Sequence, residues 1–413
     1  MKPLQSVRGT HDVYGDAARH HRYVVETAHR AAEVYGYAEI ATPIFEFTEV
    51  FARPLGETSD VVSKEMYTLN DRGGEALTLR PENTASVMRA VLSNGLLQQI
   101  PLRFFYAGPM FRYERPQKGR LRQFNQIGVE LIGAAEPLAD AEVIALGYQI
   151  MDELAIAGQI SIRLNSLGDP ASRAAYREQL VAYLNPYKDD LSPDSQDRLG
   201  RNPLRILDSK NARDREIIAG APSMTDALND DSKRFFDTVQ QSLSEQGIPF
   251  EIDRNLVRGL DYYTHTAFEF VTEDLGAQGT VLAGGRYDGL MEQLGGPATP
   301  GVGWAAGIER LVMLADPPTE PVRPVAIVPM GEEAERACQA LAARLRRRHV
   351  AVDMAFKGKV NQRMKRANRI EAKFALVIGD DELAKNTVQL RDLDTGDQIE
   401  LSQNDLMDRL PGA

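Results

Sequence analysis

Four prolines fall within ten residues at ADPPTEPVRP (315–324). Proline fixes φ and removes a backbone donor, so neither a helix interior nor a central strand can run through such a string. It reads as a linker, and the 413-residue chain must fold as at least two bodies. Beyond it, apolar runs VAIV, VAVDM and FALVIG alternate with amphipathic stretches at 332–348 and 361–372. That alternation predicts an α/β unit with an open sheet.

The longer segment before the linker has another texture. Residues 15–36 carry helical spacing and end at Gly36, and a short strand follows that stops near Pro43. Residues 102–112 and 123–133 read as strands joined by the polar turn PQKGRLR. A second strand pair is expected over roughly 257–272 and 278–287. Between the pairs, 169–248 is polar, rich in helix formers and broken by SPDSQDRLGRNP. It reads as a helical insertion between two parts of one sheet.

Several function classes lose support. There is no run of about 18 apolar residues, and MKPLQSVRGT has no apolar signal core, which argues against membrane insertion and secretion. Cys338 is the sole cysteine, so no internal disulfide or cysteine metal cage forms; with Ala334, Leu341 and Leu345 on one helical face it reads as core packing. The six histidines occupy no ligand spacing, and no metal site is expected. Walker A, GxGxxG and GxSxG patterns are absent where their chemistry would need them. A net charge of −11 opposes general polyanion binding. Yet from Arg344 to Lys373 eleven Lys or Arg stand against Asp353 and Glu371, and phosphate binding is a local matter.

Five segments carry chemistry. On the strand after the basic turn, Phe124, Gln126, Gly128 and Glu130 share one face and Asn125, Ile127, Val129 and Leu131 the other. Alternation alone also fits a half-solvated hairpin, but Arg115, Lys118, Arg120 and Arg122 crowd the turn beside Arg112, which suits an anionic substrate. LRPENT (79–84) fixes Glu82 and Thr84 after a proline, either to hold an ammonium group or as a helix cap through Asn83 or Thr84. LVRGLDYY (256–263) sets an arginine beside a glycine and two tyrosines, and AGGRYDGL (283–290) repeats that chemistry. GVGWAAGIERL (301–311) reads as a small-residue strand entering a helix near Arg310. Arginines, tyrosines and carboxylates without a nucleophile–base pair suit phosphoryl or nucleotidyl transfer.

In this order the segments resemble class II aminoacyl-tRNA synthetases, specifically the histidine family. The helix and strand ending at Pro43 resemble motif 1, the dimer element; 111–130 resembles motif 2 and GVGWAAGIERL motif 3. LVRGLDYY and AGGRYDGL resemble the two signatures peculiar to that family. The resemblance implies an α+β catalytic domain with an antiparallel sheet (1–320), a helical insertion within it (169–248) and a C-terminal α/β anticodon-binding domain (323–413). It implies a cytoplasmic homodimer using ATP as substrate with Mg²⁺, and L-histidine and histidine tRNA as partners.

Roles follow from the resemblance, position by position. Arg112 and Arg258 would be catalytic, on the α-phosphate and the pentavalent transition state. Glu114, Arg120, Phe124 and Arg310 would join Arg112 in holding ATP, with Glu114 at the adenine amine, Phe124 stacked on the ring and Arg310 at the far phosphates. Glu82, Thr84 and Tyr263 would hold the substrate ammonium beside Gln126. Glu130 and Tyr262 would meet the imidazole, with Tyr287 lining its pocket. Arg115, Gln117 and Lys118 of the turn would touch tRNA, as would Lys357, Lys359, Arg363, Lys365, Arg366 and Arg369. Asn83 departs from the family's usual glycine, and Tyr113 and Asn125 from frequent histidines. The main alternative is a catalytically inactive, histidine-binding regulatory paralogue, which typically erodes the arginines retained here. A tRNA-sensing kinase module finds no room in the chain, and the two signatures oppose a synthetase for another amino acid.

Overall fold

A computed structural model describes residues 3–56, 59, 61–258, 262–276, 279–316 and 322–410. Gly259, Leu260 and Asp261 of RGLDYY, and 317–321 of the proline-rich string, lie outside the described residues. The chain divides into two compact units, Met1–Pro318 and Thr319–Ala413.

In the first unit the strands are β1 (Ala38–Glu39), β2 (Phe45–Phe47), β3 (Tyr67–Asn70), β4 (Ala76–Leu79), β5 (Leu102–Phe111) and β6 (Gln123–Ile132). They continue as β7 (Ser161–Ser166), β8 (Glu251–Ile252), β9 (Thr264–Val271), β10 (Thr280–Arg286) and β11 (Gly301–Gly307). Eight of them form one sheet in the order β1-β5-β6-β11-β10-β9-β7-β8. Every pairing from β5 to β7 is antiparallel, while the edge pairs β1–β5 and β7–β8 are parallel. A small antiparallel sheet, β2-β4-β3, was not expected from the sequence; its strands are too short to carry a clear alternation.

The strand expected to begin at 257 begins at Thr264. Just ahead of the expected start, the Asn165 amide donates to the Leu256 carbonyl at 2.9 Å, so a side chain satisfies that backbone group.

Both faces of the large sheet are covered. Helices Gly15–Val34 and Pro137–Glu153 pack on one face through Val24, Ala28, Ile144 and their neighbours, against Ile127, Val129 and Leu131 of β6. The polar parity of β6 therefore does not meet bulk solvent; it faces a second core that includes Phe124, Tyr106, Tyr262, Tyr263 and Tyr287. The 169–248 run divides between the two. Tyr176, Leu180 and Leu184 of helix Pro170–Leu184 join the second core. Phe236, Val239 and Leu243 of helix Asp230–Glu245 join the first.

Arg286 and Asp140 are both wholly buried and paired. Arg286 Nε donates to Asp140 at 3.0 Å, and Nη1 donates to Asp288 and to the Ala134 carbonyl, each at 3.0 Å. A register shift of β10 against β9 between Gly285 and Arg286 gives this arginine its place at the strand end.

In the second unit β12 (Val325–Pro329), β13 (Val352–Met354), β14 (Phe374–Ile378), β15 (Thr387–Asp392) and β16 (Gln398–Ser402) form a sheet in the order β13-β12-β14-β15-β16. The first three are parallel and the last two add an antiparallel hairpin. Cys338, on helix Glu332–Arg347, is buried with Leu341 and Leu345, and burial pushes its thiol up to about 12. It is a packing residue, as its helical face suggested.

Breaking a buried ion pair from one side strands a charge, at a cost of about 3–5 kcal/mol. Asp140→Ala is expected to destabilise the first unit by that amount in denaturant unfolding, and a loss below about 1 kcal/mol would contradict this role.

Candidate active site

The β6 face bearing Phe124, Gln126 and Glu130 closes against β11 and the turn before helix Thr84–Ser93. Above it lies a cavity of about 430 Å³. At its base Glu130 is fully buried. Thr84 Oγ1 donates to one carboxylate oxygen at 2.7 Å and the Tyr287 hydroxyl donates to the other. Burial pushes the Glu130 carboxyl up to about 8, against the pull of these two hydrogen bonds. Space for it comes from β11: a Cβ on Gly303 would stand 2.1 Å from Glu130 Oε2. The register confirms the pairing, Gly303 lying opposite Glu130.

Glu82 is the second buried carboxylate. It accepts from the backbone N–H of Thr84 at 2.7 Å and of Ala85 at 3.0 Å. Burial raises its carboxyl while these N–H groups lower it. The helix is thus capped by Glu82 rather than by the Asn83 or Thr84 side chain; Asn83 instead accepts from Thr42 Oγ1 and Arg80. Three tyrosines wall the base. The rings of Tyr262 and Tyr263 lie 4.7 Å apart, and Tyr287 meets Tyr262 edge-on at 5.8 Å.

Cations line the same cavity, Arg258 standing 5.2 Å from the Tyr263 ring centre. Arg112 donates to the Pro81 carbonyl at 2.9 Å with its guanidinium 5.3 Å from the Phe124 ring centre. Arg258 pairs with Glu269, and its buried Nε has no hydrogen-bond partner among the described residues. Arg310 donates to the Gly119 carbonyl at 3.1 Å. Burial lowers the Arg310 pKa, and nearby Arg112 and Arg120 lower it further. Packing like charges this way favours an anion between them.

The cavity brings together Glu82, Thr84, Arg112, Glu114, Arg120, Phe124, Gln126, Arg258, Tyr262, Tyr263 and Arg310, while Glu130 and Tyr287 form the layer beneath. Two expected nucleotide contacts are engaged with each other, Arg120 pairing with Glu114. Arg115, Gln117 and Lys118 are exposed on the turn between β5 and β6. In the second unit Lys357, Lys359, Lys365 and Arg369 are exposed. Arg363 is a correction to the expected RNA-facing set: it is buried, pairs with Glu335 and donates to the Gly358 carbonyl at 2.7 Å. Its position on helix Val360–Arg369 turns it inward beside Ala367. Arg366 is half-covered and forks onto Asp353 at 2.7 and 2.8 Å. The arginine of AGGRYDGL is also redirected; Arg286 belongs to the buried pair with Asp140, not to the cavity.

Sequence reasoning missed Tyr106, Glu269, Arg205, Asp208 and Lys210, all of which line the cavity. Glu269 left a trace, a lone acid in the apolar strand AFEF. The last three arrive from the 169–248 run, where no local pattern marks them.

The family model described as histidyl-tRNA synthetase matches residues 9–168 and 188–311, and that of the anticodon binding domain matches 324–412. A histidine–tRNA ligase of Rhodospirillum rubrum is 61% identical over 400 residues, 96% of each chain. The chain belongs to the histidyl-tRNA synthetase family. A further ligase of that description, from Gluconacetobacter diazotrophicus, is 57% identical over 412 residues, covering 100% of this chain and 99% of its own. The apo histidyl-tRNA synthetase of S. aureus superposes with a TM-score of 0.84 at 37% identity, over 99% of this chain and all of that one. Within this histidyl-tRNA synthetase framework the three departures have local roles. Asn83 joins the buried Thr42–Arg80 network, and Asn125 donates to Glu309 at 2.9 Å. Tyr113 stacks edge-on with Tyr67 and lies under Arg122.

Glu130 holds a proton in the folded chain that the unfolded chain releases above its ordinary value of 4.5. The stability tied to it is therefore full below that value and is lost as pH rises through about 8. Glu130→Gln removes this titration, so the variant is expected to gain stability relative to the parent between about pH 5 and about pH 8. Thermal unfolding reads this; a difference that stays constant with pH would contradict a protonated carboxyl.

Proposed function

We propose that the chain ligates L-histidine to histidine tRNA in two steps, with ATP as the energy source. The histidine carboxylate attacks the α-phosphorus of ATP, giving histidyl-adenylate and pyrophosphate. The terminal adenosine of the tRNA then takes the histidyl group and AMP leaves. One observation carries this reading: a single cavity has a buried, doubly hydrogen-bonded carboxylate beneath it and four arginines, Arg112, Arg120, Arg258 and Arg310, in its lining. The first suits an imidazole, whose two ring nitrogens can each engage a fixed polar group. The second suits the triphosphate.

In this reading Glu82, Thr84 and Tyr263 hold the ammonium group, near Gln126. Glu130, Tyr262 and Tyr287 hold the imidazole. Arg112 and Arg258 neutralise the charge that grows at the α-phosphate, and Arg310 steadies the leaving pyrophosphate. For Arg258, Glu269 fixes the approach of the guanidinium. Phe124 stacks on the adenine, and Glu114 with Arg120 bounds that end.

Mg²⁺ would come with the nucleotide and supply charge neutralisation of its phosphates. The cavity fits that mode. Of its carboxylates, Glu114, Glu269 and Glu309 are engaged by Arg120, Arg258 and Asn125, so phosphate oxygens and water would supply most of the ion's ligands. Among the described residues no group of three or more His, Cys, Asp or Glu is arranged for a metal.

The 1–320 stretch, with its insertion at 169–248, is the catalytic domain in this proposal, and 323–413 the anticodon-binding domain. The functional chain would be a cytoplasmic homodimer. Support for the dimer is the exposed apolar set Ile44, Phe45, Phe47 and Leu69 on and beside the small sheet. Sedimentation of the full chain tests it, and a monomer at micromolar concentration would contradict it. No described helix is long and apolar enough to cross a membrane.

Histidine-dependent ATP–pyrophosphate exchange tests the reaction directly. Exchange is expected with histidine and not with other amino acids. No exchange by folded chain that still binds histidine would leave the regulatory reading instead. Arg258→Ala is expected to lower exchange by about 100-fold or more while histidine still binds, because its positive charge acts in the transition state. An unchanged rate would remove Arg258 from the mechanism.

A further inference from the structure

We infer that Phe356 is a stacking platform for an unpaired base of the bound tRNA. The inference rests on the ligation reading and names a contact within it. Phe356 lies in the loop 355–359 between β13 and helix Val360–Arg369. Its side chain is fully exposed, at 102%, while Phe47 and Phe45 reach 55% and 53%. A large aromatic ring held in water leaves its whole face open to stacking.

The loop is fixed in this presentation. Arg363, itself buried and paired with Glu335, donates Nε–H to the Gly358 carbonyl at 2.7 Å. Gly358 takes φ +116°, a conformation that L side chains rarely adopt. The Lys359 backbone N–H donates to Gln362 Oε1 at 3.1 Å. The ring is therefore offered by a braced loop, which limits the ordering cost of binding.

The surroundings select the partner. Phe356 has Lys357 and Lys359 beside it, both exposed, and Lys365 lies exposed nearly two helical turns further on. A protein interface core would need several large apolar neighbours, and this loop has only Ala355 beside the ring. One aromatic face flanked by cations is instead the arrangement that binds single-stranded nucleic acid: the ring stacks on a base and the lysines meet its flanking phosphates. The loop lies within the residues matching an anticodon binding domain. An unpaired base of a tRNA loop has the exposed π-face this requires.

The test uses the full chain and histidine tRNA. Phe356→Ala is expected to bind the tRNA about 5- to 150-fold more weakly, the span of one aromatic–base stack. Phe356→Leu should weaken it similarly, because its bulk is apolar without being flat. Phe356→Trp should keep wild-type affinity, and its indole fluorescence should fall on binding. Trp304, the chain's own tryptophan, is buried, so the new signal reports on the loop. Unchanged affinity for the Ala variant, or wild-type affinity for the Leu variant, overturns the stack while leaving the ligation reading intact. A parent chain that binds no histidine tRNA overturns both.

Discussion

The carboxyl group of Glu130 lies in the sheet where no water reaches it, with Thr84 on one oxygen and Tyr287 on the other. Much of the first unit is arranged around that fact. An acid so buried survives only if its lone pairs are occupied and its charge is held off or compensated. Thr84 stands there because Glu82 caps the helix that begins with it. Tyr287 follows directly on Arg286, which the buried pair with Asp140 anchors. Gly303 leaves the gap that the carboxylate fills. An antiparallel sheet is what allows such convergence, since β6, β10 and β11 come from distant parts of the chain and lie side by side.

The cavity also combines two kinds of lining. Buried tyrosines and carboxylates suit an amino acid, and the arginines beside them, in partial mutual repulsion, suit phosphates. Repulsion among cations is relieved by an anion, so the site favours one there. The same division explains why the two family signatures act differently. In LVRGLDYY the arginine and both tyrosines reach the cavity. In AGGRYDGL, Ala283 lines the cavity and Tyr287 supports Glu130 beneath it, while the arginine secures the scaffold behind.

How much of this the sequence disclosed can be followed residue by residue. The parity of β6 was readable, because strand alternation is local, and so was the break near 315–324, because proline chemistry is local. The depth of Glu130 was not, since it depends on Gly303 arriving from another strand. Glu82 as the cap was not, because Asn83 and Thr84 were equally plausible by type. Arg363 looked like one more surface cation until helix geometry turned it toward Glu335. Arg205, Asp208 and Lys210 carry no local signal, and only the packing of the 169–248 run brings them to the cavity mouth. What was legible was periodicity and turn chemistry; what was hidden was every contact between distant segments.

The claim that Glu130 reads the imidazole is the one on which the rest turns. Its most direct measurement is steady-state ATP–pyrophosphate exchange by Glu130→Gln, with histidine and ATP varied separately. A buried polar group left wrongly paired costs about 1–3 kcal/mol, and more when a charge is involved. The account predicts that kcat/KM for histidine falls by at least about 10-fold while the KM for ATP stays unchanged. An unchanged histidine dependence, or equal losses for both substrates, would contradict it.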